Sequence, residues 1–191
     1  MTDITLNAVQ KENPTTTWGV WTLIVTEASL FGYLLFSYFY LNSQATQHWP
    51  PEGLPKLGLG SLNTALLLLS SLWVWLSERA LRVSKMRTSF AWLILAIIFG
   101  ITFVGIQCVE WHGKSYGLTG NLYGSLYFTI TGFHMMHVVI GLIVLTTLLL
   151  WNMNGKSSET RLHIGSLYWH FVDVVWIFVF STFYLVPYIS R

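Results

Sequence analysis

The chain has 191 residues, 53% of them apolar and only 9% charged, where a soluble domain carries about 45–50% apolar and roughly 25% charged residues. A mean hydropathy of +0.55, with ten Trp, nine Tyr and twelve Phe, excludes a water-soluble globule and a disordered chain. Ten Lys+Arg against eight Asp+Glu leave no basic patch for nucleic acid, and the one cysteine, Cys108, excludes an internal disulfide and any thiolate cluster.

The remaining class is an integral membrane protein. Residues 1–17 read as a polar tail carrying Asp3 and Glu12, without the apolar stretch and cleavage site of a signal peptide. A helical span takes about 20 mainly apolar residues, and five segments qualify, at about 18–41, 58–77, 89–110, 122–151 and 164–187. The run TALLLLSSLWVWL lacks the alternation of a transmembrane strand. Helices then satisfy the backbone in lipid, and the fold class is an all-α bundle of five transmembrane helices. The fourth segment is long, and tilt or protrusion absorbs its excess. In the first connection, Trp49-Pro50-Pro51 stops any helix and places an aromatic ring at interface depth. No repeat or long linker divides residues 18–191, so they form one domain.

Orientation follows from Lys and Arg near the span ends. The tail and the loops 78–88 and 152–163 share a side and carry Lys11, Arg79, Arg82, Lys85, Arg87, Lys156 and Arg161. The opposite side holds Lys56, Lys114 and Arg191. This asymmetry predicts a cytoplasmic N-terminus and an external C-terminus.

Ionisable groups inside the spans need a reason, because a charge at a helix centre costs about 2.5–3.5 kcal/mol on insertion scales. Glu27 and Asp173 each lie nine residues into a span that starts on the cytoplasmic side, roughly 14 Å deep. His134 and His137 lie on a helix of opposite direction, roughly 18 and 22 Å from the outer face. Three helices thus place ionisable side chains in one layer of a core about 30 Å thick. His134 and His137 share a face that Gly141 continues, and Gly132 and Gly141 let a neighbouring helix approach. His170 and Asp173 are three apart and Trp169 and Asp173 four, so an indole or imidazole N–H is placed to bond the carboxylate.

Each group has two readings. Glu27 reads as a proton-relay carboxylate or as a hydrogen-bonded structural acid. Asp173 reads as the centre of a fixed network or as a relay. His134 and His137 read as buried hydrogen-bonding histidines, or as metal or haem ligands that would need a third ligand such as His170. Glu110 and Glu78, at helix ends, need no functional account. Arg79 and Arg82 serve topology and are suited to grip lipid phosphates, and Cys108 is a small apolar packer. No phosphate loop, water-accessible nucleophile set or cofactor cage appears. The chain alone is therefore not catalytic and calls for a partner.

Two motifs then carry a resemblance. The stretch YGSLYFTITGFHMMHVVIG at 123–141 resembles the penultimate helix of subunit III of haem-copper cytochrome oxidases, and SLYWHFVDVVWIFVFSTFYL at 166–185 resembles its last helix. Shorter matches precede them: Thr26-Glu27, Trp49-Pro50-Pro51, Leu62-Asn63-Thr64, and Gln107 with Glu110. The resemblance covers roughly residues 18–187. It implies an accessory subunit without a redox centre, packed on the haem- and copper-bearing subunit I in a complex that includes subunit II. That complex, a cytochrome c oxidase of the bacterial inner membrane, reduces O2 and pumps protons. The resemblance further implies phospholipid binding, support of proton uptake and protection during turnover.

By position, Glu27, His134, His170 and Asp173 match the family's intramembrane polar residues, and Trp169 and Trp176, with Glu110, its structural network. His137, Arg79, Arg82 and Trp151 are the lipid-contact candidates, Trp151 standing where relatives often carry Arg. The chain starts at what is the third helix of seven-span members. Other readings stay open: subunit III of a quinol oxidase, an accessory protein of nitric oxide reductase, or a stand-alone proton or ion transporter, although no inverted repeat or broken helix supports the last.

Overall fold

The computed structural model describes residues 14–45, 49–50, 55–155 and 158–189. Most of the polar tail, Pro51, and the charges Lys11, Lys156 and Arg191 used for orientation lie outside the described residues. Five helices each meet the length and apolarity of a membrane span, and no strand occurs among the described residues.

They are α1 (Pro14–Gln44), α2 (Leu57–Arg82), α3 (Met86–His112), α4 (Leu122–Met153) and α5 (Glu159–Phe180), the last continuing through a wider turn at Ser181–Leu185 into Val186–Ile189. Every helix extends past its apolar segment, α1 by seven residues in all and α4 by two. α4, at 32 residues, is about 48 Å long and exceeds a core of about 30 Å. The widened turn ends just before Pro187, whose ring crowds the carbonyl four residues back and offers no N–H.

Local chemistry ends the helices. Lys85 N–H bonds Ala80 O and Ser84 N–H bonds Leu81 O, both at 2.9 Å, closing α2 with paired 6→1 and 5→2 bonds. Ser84 takes the left-handed conformation there, at φ 57°, a place usually given to glycine. Gly155, at φ 69°, fills the matching position after α4. The Asn121 side chain caps α4 by accepting from Gly124 N–H at 2.6 Å.

Packing makes α2, α3, α4 and α5 a closed ring, with α1 laid on the α4–α5 side. In lipid, apolar burial does not drive helices together, so close contact and hydrogen bonds must. Trp169 is fully buried, and the structure makes room for it with glycines. A Cβ at Gly100 or Gly141 would stand 2.9 or 2.8 Å from its ring. Gly132, expected to admit a neighbour too, has nothing within 4 Å of that position. α1 is looser, with Trp18, Val25, Tyr33 and Phe36 all above 60% exposed. Toward its C-terminal end it is pinned by Tyr38, which meets Trp49, Tyr123 and Phe183 edge to face.

Candidate functional site

Among the described residues α1 makes one polar side-chain contact with α4, Glu27 Oε2 to His137 Nε2 at 3.0 Å. The other ring nitrogen, Nδ1, faces Phe133 O at 2.7 Å, one helical turn back. A carbonyl only accepts, so Nδ1 carries a hydrogen. The pair then shares one further proton, held either by the carboxyl or by Nε2. Glu27 is partly open, its side chain 26% exposed, against 6% for His137. Of the residues expected at one depth, Glu27 and His137 are in direct contact. His137 was expected to touch lipid, yet both its ring nitrogens are engaged inside the protein.

His134, on the same face of α4, sits in an aromatic box. Phe31, Phe103 and Trp176 lie 6.4, 6.0 and 4.9 Å from its ring centre. It is 1% exposed and neither nitrogen has a hydrogen-bond partner. His170 lies elsewhere, bonded through Nδ1 to Ser71 Oγ, and so supplies no third ligand to the pair. Among the described residues no group of three or more His, Cys, Asp or Glu could hold a metal ion.

Asp173 differs from the expectation in one respect. It is 3% exposed, but neither carboxylate oxygen closes a hydrogen bond. The donors that spacing assigns to it, Trp169 and His170, turn to α2 instead, and Trp176 on the same helix does likewise. Trp169 Nε1–H donates to Ser70 Oγ at 3.1 Å and Trp176 Nε1–H to Thr64 Oγ1 at 3.0 Å. The Asp173 carboxyl has the Ser71 hydroxyl as its polar neighbour. The α2–α5 seam is therefore a ladder of hydroxyls on one helix and indole or imidazole groups on the other. Its sequence signal is Thr64 and Ser71, seven residues apart and so near one face of α2, with Ser70 adjacent, in an otherwise apolar run.

Glu78, expected to be incidental, is an anchor, and so is Glu110, which the family resemblance alone assigned to a structural network. Glu78 takes Arg82 at 2.5 Å and His163 Nδ1 at 3.0 Å, joining α2 to the start of α5. Glu110 accepts from Tyr184 and, at 3.5 Å, from Tyr127, and pairs with Lys114 at 3.0 Å. Beneath it Gln107 Nε2 reaches the Tyr127 hydroxyl at 3.5 Å, and Asn63 Nδ2 donates to Gln107 Oε1 at 3.2 Å. Residues far apart in the chain thus join α2, α3, α4 and α5 at the end opposite the basic loops. Cys108, expected to pack inside, is exposed.

The lipid-contact candidates at the opposite end are open to the surroundings. Arg79 lies 4.6 Å over the Trp75 ring, and the Arg82 side chain is 59% exposed. Arg161 stands 5.0 Å from the Trp151 ring, which brings a cation from α5 beside this candidate on α4.

Five apolar helices, with polar groups paired across their seams, define a multi-pass membrane protein. Residues 6–188 match the family model for cytochrome c oxidase subunit III. Cytochrome c oxidase subunit 3 of Struthio camelus is 34% identical over 178 residues, covering 87% of this chain and 68% of its own. The subunit 3 of Thermostichus vulcanus is 30% identical over 172 residues, covering 87% and 85%, and that of Synechocystis sp. 34% over 175 residues, covering 88% and 74%. The chain belongs to the cytochrome c oxidase subunit III family, and so is an accessory, itself non-catalytic part of a haem-copper oxidase complex.

Proposed function

We propose that this subunit packs directly against the haem- and copper-bearing subunit I of a cytochrome c-dependent oxidase that also holds subunit II. In this reading it supports proton uptake into subunit I, binds phospholipid, and protects the complex during turnover. It lies in a bacterial inner membrane with the N-terminus cytoplasmic and the C-terminus external. The basic end, with Arg79, Arg82 and Arg161, meets anionic headgroups on the cytoplasmic side. Residues 1–17 serve as a polar tail.

The observation that carries the proton-related part is the Glu27–His137 pair. It holds one movable proton at mid-membrane on the partly open side of α1, where a partner or a water file can reach it. Haem and copper stay in the partner, where O2 is reduced.

The test is purification in mild detergent followed by turnover. The chain is expected to copurify with a haem-bearing subunit, and Glu27→Gln to leave that association intact while activity decays faster over repeated turnovers. Purification without a haem protein, or with one that reduces nitric oxide rather than O2, would overturn the assignment. Wild-type durability in the Gln variant would remove the proton-related role.

A further inference from the structure

The α2–α5 seam contains more titratable side chains than its packing requires. The two helices run antiparallel, so moving from the basic end inward descends α2 and ascends α5. The first rung is Glu78 with His163, at 3.0 Å, flanked by Arg82 and open to the surroundings through a His163 side chain that is 48% exposed. Next inward is Ser166, 1% exposed, whose hydroxyl also acts on Glu78. One turn further is His170, bonded to Ser71 and within electrostatic reach of Glu78 and His163. Last comes Asp173, 3% exposed, with Ser71 beside it and no hydrogen bond closed to either oxygen.

An unpaired carboxylate in this position would have no compensation for lost hydration. The neutral acid fits it, and so does a carboxylate that receives a proton from a neighbour. Ser71 lies between the only histidine of the inner seam and this carboxyl, and a hydroxyl both donates and accepts.

We propose that α2 and α5 form an internal proton path, entered at Glu78 and His163 and ending on the Asp173 carboxyl as a buried proton-binding site. The transfer balances without any co-reactant. Protonated His170 gives its Nδ1 hydrogen to Ser71 Oγ while Ser71 passes its own hydroxyl hydrogen to Asp173. This leaves a neutral imidazole, an intact hydroxyl and a carboxylic acid, and release is the reverse. From Ser166 to His170 the step is one helical turn, which one bridging water spans. The titratable and charged groups facing this path are Glu78 and Arg82 on α2 and His163, His170 and Asp173 on α5. The path lies within this chain and is independent of the Glu27–His137 pair, so it does not rest on the proton-uptake role proposed above.

Infrared spectroscopy of the purified complex tests it. The native protein is expected to show a carbonyl band of a protonated carboxyl that shifts when aspartate is labelled with carbon-13, that Asp173→Asn removes and that Glu27→Gln retains. On transfer to deuterated water the band should shift promptly, and Ser71→Ala or His170→Phe should slow that shift by about tenfold or more at unchanged helix content. If Asp173→Asn fails to assemble, carbon-13 labelling still shows that the band is aspartic and slowed exchange in Ser71→Ala ties it to Asp173; Ser71→Ala also covers a failure of His170→Phe. Absence of an aspartic carbonyl band, its survival in Asp173→Asn, or an exchange rate unchanged in both path variants would overturn the proposal. These readouts require no oxygen consumption, so a failed subunit assignment and a failed path are told apart.

Discussion

Glu27 and His137 are 110 residues apart yet share a proton at 3.0 Å, and this contact decides what a substitution at either does. An amide at position 27 can donate to Nε2, so Glu27→Gln keeps a neutral hydrogen bond and loses only the transferable proton. Asp173 calls for a different expectation from the one its sequence neighbours give. With Trp169 and His170 bonded to Ser70 and Ser71, removing the carboxylate strands no donor. Asp173→Asn should therefore change thermal stability by no more than about 1 kcal/mol, read from the unfolding of the detergent-purified complex. Trp169→Phe should cost more, roughly 1–3 kcal/mol, because it deletes a buried N–H bond and leaves a gap at the centre of the ring. Depth and face were legible in the chain, since both follow from the rise and pitch of one helix. The partner across the seam was not, because it depends on which helix packs there.

At the scale of elements, the five spans stood out from unbroken apolar runs, and the structure lengthened each by the polar turns that protrude from the core. Turn chemistry was less visible. Nothing in the letters Val83-Ser84-Lys85 marks a left-handed residue, since glycine is the usual sign and serine occupies the place. Ser84→Gly is expected to raise stability by about 0.5–1 kcal/mol by removing the Cβ penalty, measured as an upward shift of the melting temperature. Gly141→Ala should act in the opposite direction. Its Cβ would come 2.8 Å from the Trp169 ring, an overpacking that costs about 1–3 kcal/mol, seen as a lower melting temperature and weaker α4–α5 association. Gly132→Ala, with open space around it, serves as the neutral control.

For the whole molecule, composition alone pointed to a membrane bundle, and the two long motifs of α4 and α5 carried the family. The neighbour relations were hidden: hydropathy gives each helix a depth but no address. The anchoring role of Glu78 escaped notice for the same reason, and Glu110 was assigned to a network by the family resemblance alone. A glutamate at a helix end looks solvated until the tyrosines or histidine of another helix arrive beside it. Four helices close on one another, whereas α1 leans on their outside through the Glu27–His137 hydrogen bond and an aromatic cluster. Sub-global opening follows the weakest set of contacts. Deuterium uptake along the purified subunit should therefore begin in α1 and spread to α2–α5 only under conditions that melt the entire assembly. A helix seated this way behaves as a hinged door leaf on a rigid frame: whatever lies against it in the membrane sets how far it stands open, while the frame keeps its shape.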